Sequence, residues 1–249
     1  MREILKYTDG PAVATAAADA LLARLTELLA SKPSVHISIT GGTVGILTLV
    51  KIAEHPNRDS VDWKRVHIWW GDDRFVALES PDSNALQARD ALLSKLDLDP
   101  ALVHEFPKFD SASSVAIDEQ LDAAAIDFAA SVAALANPET GFIDLDVTIL
   151  GMGPDGHIAS LFPGHAIPAP GVSIIAEHNS PKPPPERLSF TYEAINHSNE
   201  IWFVVAGADK AEAVNVAFSS APTRLPVGRV SGSIKTVWFI DEAAAEGIN

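Results

Sequence analysis

The sequence predicts an α/β fold in which a mostly parallel sheet is flanked by helices. Three observations predict it. Short aliphatic runs alternate with alanine-rich segments of helical period, several of those runs end in glycine-bearing loops, and no repeat or long linker divides the 249 residues. One domain over residues 1–249 is the expectation.

Taken in order, Ala12 to Leu29 has apolar residues recurring at three and four, with Asp19, Arg24 and Glu27 on the polar side, which predicts a helix. Val35 to Ile39 is β-rich and ends in Thr40-Gly41-Gly42-Thr43, after which Val44 to Glu54 reads as a helix. Val66 to Trp70 is a second strand, stopped by Gly71-Asp72-Asp73. A helix starts near Ser83 and takes in Asn84 to Leu93. Ser111 to Ala136 reads as one long helix or a pair, ended by Asn137-Pro138. Leu145 to Leu150 is a third strand. Val172 to Ala176, Leu188 to Tyr192, Ile201 to Ala206 and Thr236 to Ile240 read as further strands, and Asp209 to Phe218 as a helix. The proline-rich Ser180 to Pro185 reads as a stiff internal loop.

Composition narrows the function. No stretch reaches the roughly 18 uninterrupted apolar residues of a membrane span. Met1 to Gly10 lacks the apolar centre of a secretory signal. There are no cysteines, so disulfides, thiolate metal sites and cysteine nucleophiles are excluded, and a cytoplasmic setting is expected. A net charge of −15 repels nucleic acid and anionic membranes. An anionic ligand would therefore need a local cluster of basic side chains and backbone amides.

In open α/β sheets ligands bind beyond the carboxyl ends of the strands. Three loops there carry unusual chemistry. Thr40-Gly41-Gly42-Thr43 lets the backbone approach a ligand closely and opens a helix whose free amides suit a phosphate. It matches no nucleotide-binding fingerprint. Trp70-Gly71-Asp72-Asp73-Arg74 places two acids and a base directly after an apolar strand, which packing alone does not explain. Gly151-Met152-Gly153-Pro154-Asp155-Gly156-His157 follows a strand and precedes Ile158 to Phe162, which reads as a short helix ended by Pro163-Gly164. His157 in the first turn of that helix would be kept neutral by the helix dipole, and Asp155 would hold its tautomer. The other seven histidines are mostly isolated in polar or helical contexts and read as structural.

Together these segments resemble the 6-phosphogluconolactonase family, within the wider glucosamine-6-phosphate deaminase/isomerase-like group. The matching pieces are Thr40 to Thr43, Trp70 to Val76 with Asp82-Ser83-Asn84, Gly151 to Pro163, Ser180 to Pro184 with Arg187, and Gly207 to Ala211, in the family's order. The resemblance implies a Rossmann-like domain and hydrolysis of 6-phospho-D-glucono-1,5-lactone, a phosphosugar lactone, without metal or organic cofactor, by a monomer or weak homodimer. It implies that Thr40, Gly41, Gly42 and Thr43 cradle the phosphate, that Arg187 and Lys210 supply counter-charge, and that Asp72 and Gly153 also contact substrate. His157 would be the general base, Asp155 its orienting partner, and Arg74 the contact at the lactone end. Arg74 or amides near Gly153 would face the oxyanion. The chain departs from the family pattern at Val44-Gly45, at Asp73 where Glu is usual, and at Ile158.

Two other functions fit parts of this pattern. A glucosamine-6-phosphate deaminase would carry Glu five residues after the histidine, and here that position is Phe162. A sugar-phosphate sensor would bind without turnover, yet the pairing of Asp155 with His157 points to catalysis.

Overall fold

The computed structural model describes residues 1–248. Among the described residues nine strands and six α-helices alternate: β1 (Arg2–Tyr7), α1 (Gly10–Leu29), β2 (Val35–Ile39), α2 (Gly42–Glu54), β3 (Val66–Trp70), β4 (Asp72–Arg74), α3 (Asn84–Ala91), α4 (Ile117–Ala133), β5 (Leu145–Leu150), β6 (Ile174–Glu177), β7 (Arg187–Phe190), α5 (Tyr192–Asn196), β8 (Ser198–Val205), α6 (Ala211–Ala217) and β9 (Lys235–Asp241).

Six strands form a wholly parallel sheet in the order β1-β9-β8-β5-β2-β3. Its central strands are buried along their length, β5 at every position, as parallel strands covered on both faces must be. A smaller antiparallel sheet, β4-β7-β6, leans against it, and both contribute to one hydrophobic cluster. Val13, Ala17, Leu21 and Leu25 of α1 recur at helical spacing and are all sequestered in that cluster. Asp9 caps α1 by accepting from the Ala12 amide at 2.8 Å.

Most elements fall where the sequence puts them, and the differences have local causes. β1 was not anticipated: half of its residues are exposed and none is fully buried, so the apolar alternation that marks a strand is weak there. The 111–136 segment is helical only from Ile117 to Ala133. β6 and β7 extend the small antiparallel sheet rather than the parallel one. Ile158 to Phe162 is not a helix. It is a tight turn closed by a bridge between Ile158 and Leu161, with Ala159 at φ 45°. Its apolar spacing mimics a helix, but Ser160 bonds to tertiary partners instead: its amide donates to Ser189 Oγ at 3.2 Å and its hydroxyl to Asp72 at 2.6 Å.

Strand direction decides where chemistry can collect. All six parallel strands end on the same rim, and the strand order reverses between β2 and β5, so the loops that follow them diverge and open a crevice. Thr40 Oγ1 spans it, accepting from the Gly151 amide at 3.4 Å. Among the described residues, no helix is long and apolar enough to cross a membrane.

Candidate active site

A cavity of about 740 Å³ opens at this rim. Loops from five of the six parallel strands and from β4, β7 and the proline-rich segment reach it. Thr40, Gly41, Gly42, Thr43, Asp72, Arg74, Gly153, His157, Arg187 and Lys210 all line it. Asp155 stands behind His157 rather than in the wall.

The glycine loop is shaped by what surrounds it. Gly42 has φ +77°, a conformation costly for other residues. A Cβ on Gly41 would fall 2.0 Å from Asn84 Oδ1. The unusual Gly45 has a cause as well: a Cβ there would lie 2.8 Å from the Thr40 carbonyl oxygen. The first amides of α2 have no intrahelical acceptors and open toward the cavity.

The two acids after β3 have different roles. Asp72 is buried and lines the cavity. Its Oδ2 accepts from Ser160 Oγ at 2.6 Å and lies 3.9 Å from Arg187 Nη1, while burial pushes its carboxyl upward from the usual range. Asp73 points the other way. It accepts from the Asn84 amide at 2.6 Å, the Ala85 amide at 3.1 Å and Ser83 Oγ at 3.2 Å, and pairs with Lys108 at 2.5 Å. Asp73 thus anchors the start of α3, and packing accounts for it after all. Arg74 donates to the Asp82 carbonyl at 2.6 Å, which aims its guanidinium along the cavity wall.

His157 Nδ1 lies 2.5 Å from Asp155 Oδ1. A carboxylate only accepts, so Nδ1 carries the proton and Nε2 keeps its lone pair. The ring packs on Gly153, where a Cβ would come within 2.0 Å of it, and on Phe162, 4.8 Å away between ring centroids. Burial lowers the His157 pKa, and Asp155 opposes that shift without cancelling it. With no helix following, desolvation rather than a helix dipole keeps the imidazole neutral. The Gly153 amide donates to the His157 carbonyl at 2.9 Å, so it cannot also serve an oxyanion.

Sequence reasoning missed Lys182 as a site residue. It lines the cavity from the proline-rich loop, where burial and the nearby Lys210 and Arg187 lower its pKa against the pull of Asp155. The available signal was a lone cation within a rigid loop between two strands. It also missed Asn84, which lines the cavity beside Gly41 and donates to the Asp72 carbonyl at 2.9 Å. Three of the histidines read as isolated are not. His36, His67 and His104 stack with one another and with Trp69 at the β3 edge, with a His67 Nδ1 to His104 Nε2 separation of 3.0 Å.

With this geometry in place, the likeness to known proteins is direct. The family model described as glucosamine-6-phosphate isomerases/6-phosphogluconolactonase matches residues 8–238. The chain is 39% identical to the 6-phosphogluconolactonase of Streptomyces coelicolor over 251 residues, 98% of this chain and 93% of that one. It is 37% identical to that of Mycobacterium leprae, covering 97% and 96% of the two chains. The solved 6-phosphogluconolactonase of Thermotoga maritima superposes with a TM-score of 0.79 at 26% identity, over 97% of this chain and 100% of that one.

Proposed function

Because the chain belongs to the family of glucosamine-6-phosphate isomerases and 6-phosphogluconolactonases, we propose that it hydrolyses 6-phospho-D-glucono-1,5-lactone to 6-phosphogluconate, with His157 as general base. The observation that carries the chemistry is the 2.5 Å contact between His157 Nδ1 and Asp155, which fixes the tautomer and leaves Nε2 basic at the cavity wall.

His157 Nε2 removes a proton from water as the water oxygen attacks the lactone carbonyl carbon. The tetrahedral intermediate then collapses, the bond from that carbon to the ring oxygen breaks, and the imidazolium returns the proton to the departing oxygen. Arg74 stabilises the oxyanion; the Gly153 amide is committed to the His157 carbonyl. The amides of Gly41, Gly42 and Thr43 receive the phosphate, and Arg187 and Lys210, joined by Lys182, supply its counter-charge. Asp72 holds a sugar hydroxyl. The enzyme acts in the cytoplasm as a monomer or weak homodimer and takes no cofactor in this reading.

One observation bears on the deaminase. Phe162, at the position where that branch carries an acid, is buried against the His157 ring and can neither give nor take a proton. The test follows freshly generated lactone with and without the protein, against spontaneous hydrolysis. A rate above background that disappears in His157→Ala supports the reading. Binding of 6-phosphogluconate without acceleration would favour a sensor, and absence of both binding and acceleration would overturn the family-based reading.

A further inference from the structure

The 178–186 segment between β6 and β7 brings Lys182 and Pro183 to the cavity wall. It is braced from within. Ser180 donates from its amide to the Pro185 carbonyl at 3.1 Å and from its hydroxyl to the Lys182 carbonyl at 2.9 Å. Arg187 Nη2 donates to the same Lys182 carbonyl at 2.8 Å. Among the described residues, the polar tie that fastens the start of this segment to a helix is His178. Its Nδ1 lies 3.0 Å from Asp118 Oδ1 and its Nε2 2.9 Å from Asp122 Oδ1, both on α4 and one helical turn apart.

Carboxylates only accept, and a neutral imidazole has a single N–H, so only the imidazolium satisfies both contacts. The other acid nearby, Glu177 on β6, is engaged by His165 at 2.9 Å and by the Asn179 amide at 2.7 Å. Among the described residues no other titratable side chain bonds the His178 ring. Burial by itself lowers the His178 pKa, and the two carboxylates more than offset it, so the net shift is upward.

We propose that His178 is a positioning residue for the reaction put forward above: held as an imidazolium between Asp118 and Asp122, it fastens the 178–186 segment to α4 and so keeps Lys182 aimed at an anionic substrate. The proposal rests on the lactonase reading. Loss of the proton removes one of the two bonds and turns a ring lone pair toward a carboxylate. The segment then loosens, and the cation it carries holds the phosphorylated ligand less tightly.

The test measures the Kd of 6-phosphogluconate by calorimetry at pH 6.5 and pH 8.5 in the wild type, His178→Asn and His178→Arg, alongside kcat and KM for the lactone at one pH. Arginine keeps a positive fork between the two acids at both pH values. The wild type is expected to lose about two- to fivefold more affinity across this interval than His178→Arg, the scale of exposed ion pairs. His178→Asn is expected to bind weakly at both pH values, with the loss in KM rather than kcat. Parallel pH courses in wild type and His178→Arg, or wild-type affinity in His178→Asn, overturn the proposal alone. A wild type that neither hydrolyses the lactone nor binds 6-phosphogluconate overturns the functional reading, and this proposal with it.

Discussion

Arg74 of β4 and Arg187 of β7 are direct cross-strand partners, two cations side by side in the cavity wall. Like charges placed opposite one another destabilise a sheet. Asp72, on the same face of β4, offsets part of the repulsion from 3.9 Å, and the Lys182 and Pro184 carbonyls take two more Arg187 donors. In the proposed reading the substrate meets both cations, Arg74 at the lactone end and Arg187 at the phosphate. Arg187→Ala is therefore expected to raise KM for the phosphorylated lactone about tenfold or more, with a smaller change in kcat. Steady-state kinetics that leave KM unchanged would remove Arg187 from the substrate site.

His157→Ala should lower kcat by at least about 10²-fold, the lower end for a positioned acid–base group. The pH profile is more specific. Burial holds the His157 pKa below 6.5, so the acid limb of kcat/KM should fall below that pH. Asp155 raises that pKa, and Asp155→Asn should shift the limb to still lower pH while reducing the rate. A limb that moves upward would contradict this assignment.

Gly153→Ala tests the floor under the imidazole. Its Cβ would fall 2.0 Å from the His157 ring, and the ring must give way. Turnover should drop nearly as far as in His157→Ala, with a circular dichroism spectrum like that of the wild type. Full activity would mean that the ring position is not critical.

Asp73 predicts the opposite pattern. It is 1% exposed and is bound by Lys108 and the start of α3. Asp73→Ala leaves those donors unpaired and should cost about 3 kcal/mol of stability. The residual effect on kcat of the folded fraction should be small. Denaturant titration beside kinetics separates the two, and loss of turnover at full stability would return Asp73 to the catalytic machinery.

The stacked histidines predict acid sensitivity. Burial, reinforced by the neighbouring His67, lowers His36 and His104 to about 4, against 6.5 for the free group. Between those values the unfolded chain binds more protons than the folded one, so stability is full above pH 6.5 and declines as pH falls toward 4. One such histidine contributes a loss on the order of 1–2 kcal/mol at pH 5. His104→Phe keeps the stack on Trp69 and should flatten this decline. Equal slopes of urea stability against pH in both proteins would refute it.

How much of this was legible in the sequence depends on what held each residue in place. The glycine loop, the His157 loop and Arg74 were readable because each follows a strand whose aliphatic run is unmistakable, and a parallel sheet sends such loops to one rim. The turn at Ile158 to Phe162 was not, since Ser160 takes its direction from Asp72 and Ser189, far away in sequence. The same holds for Asp73: beyond the adjacent Arg74 amide, its partners lie ten or more residues later, from Ser83 to Lys108. The histidine stack joins His36 to His67 through strand register and brings in His104 through the bridge between Ile68 and Val103, which a linear reading of each residue's own neighbours does not reveal.

The position of β9 has a consequence for biosynthesis. The first strand of the chain pairs only with the last, which lies between β1 and β8, and the cavity wall includes both Gly10 and Asp241. A nascent polypeptide still on the ribosome therefore leaves β1 without a neighbour and the wall open on that side until β9 has emerged. Catalytic competence therefore waits on β9, and its onset marks the closing of the sheet.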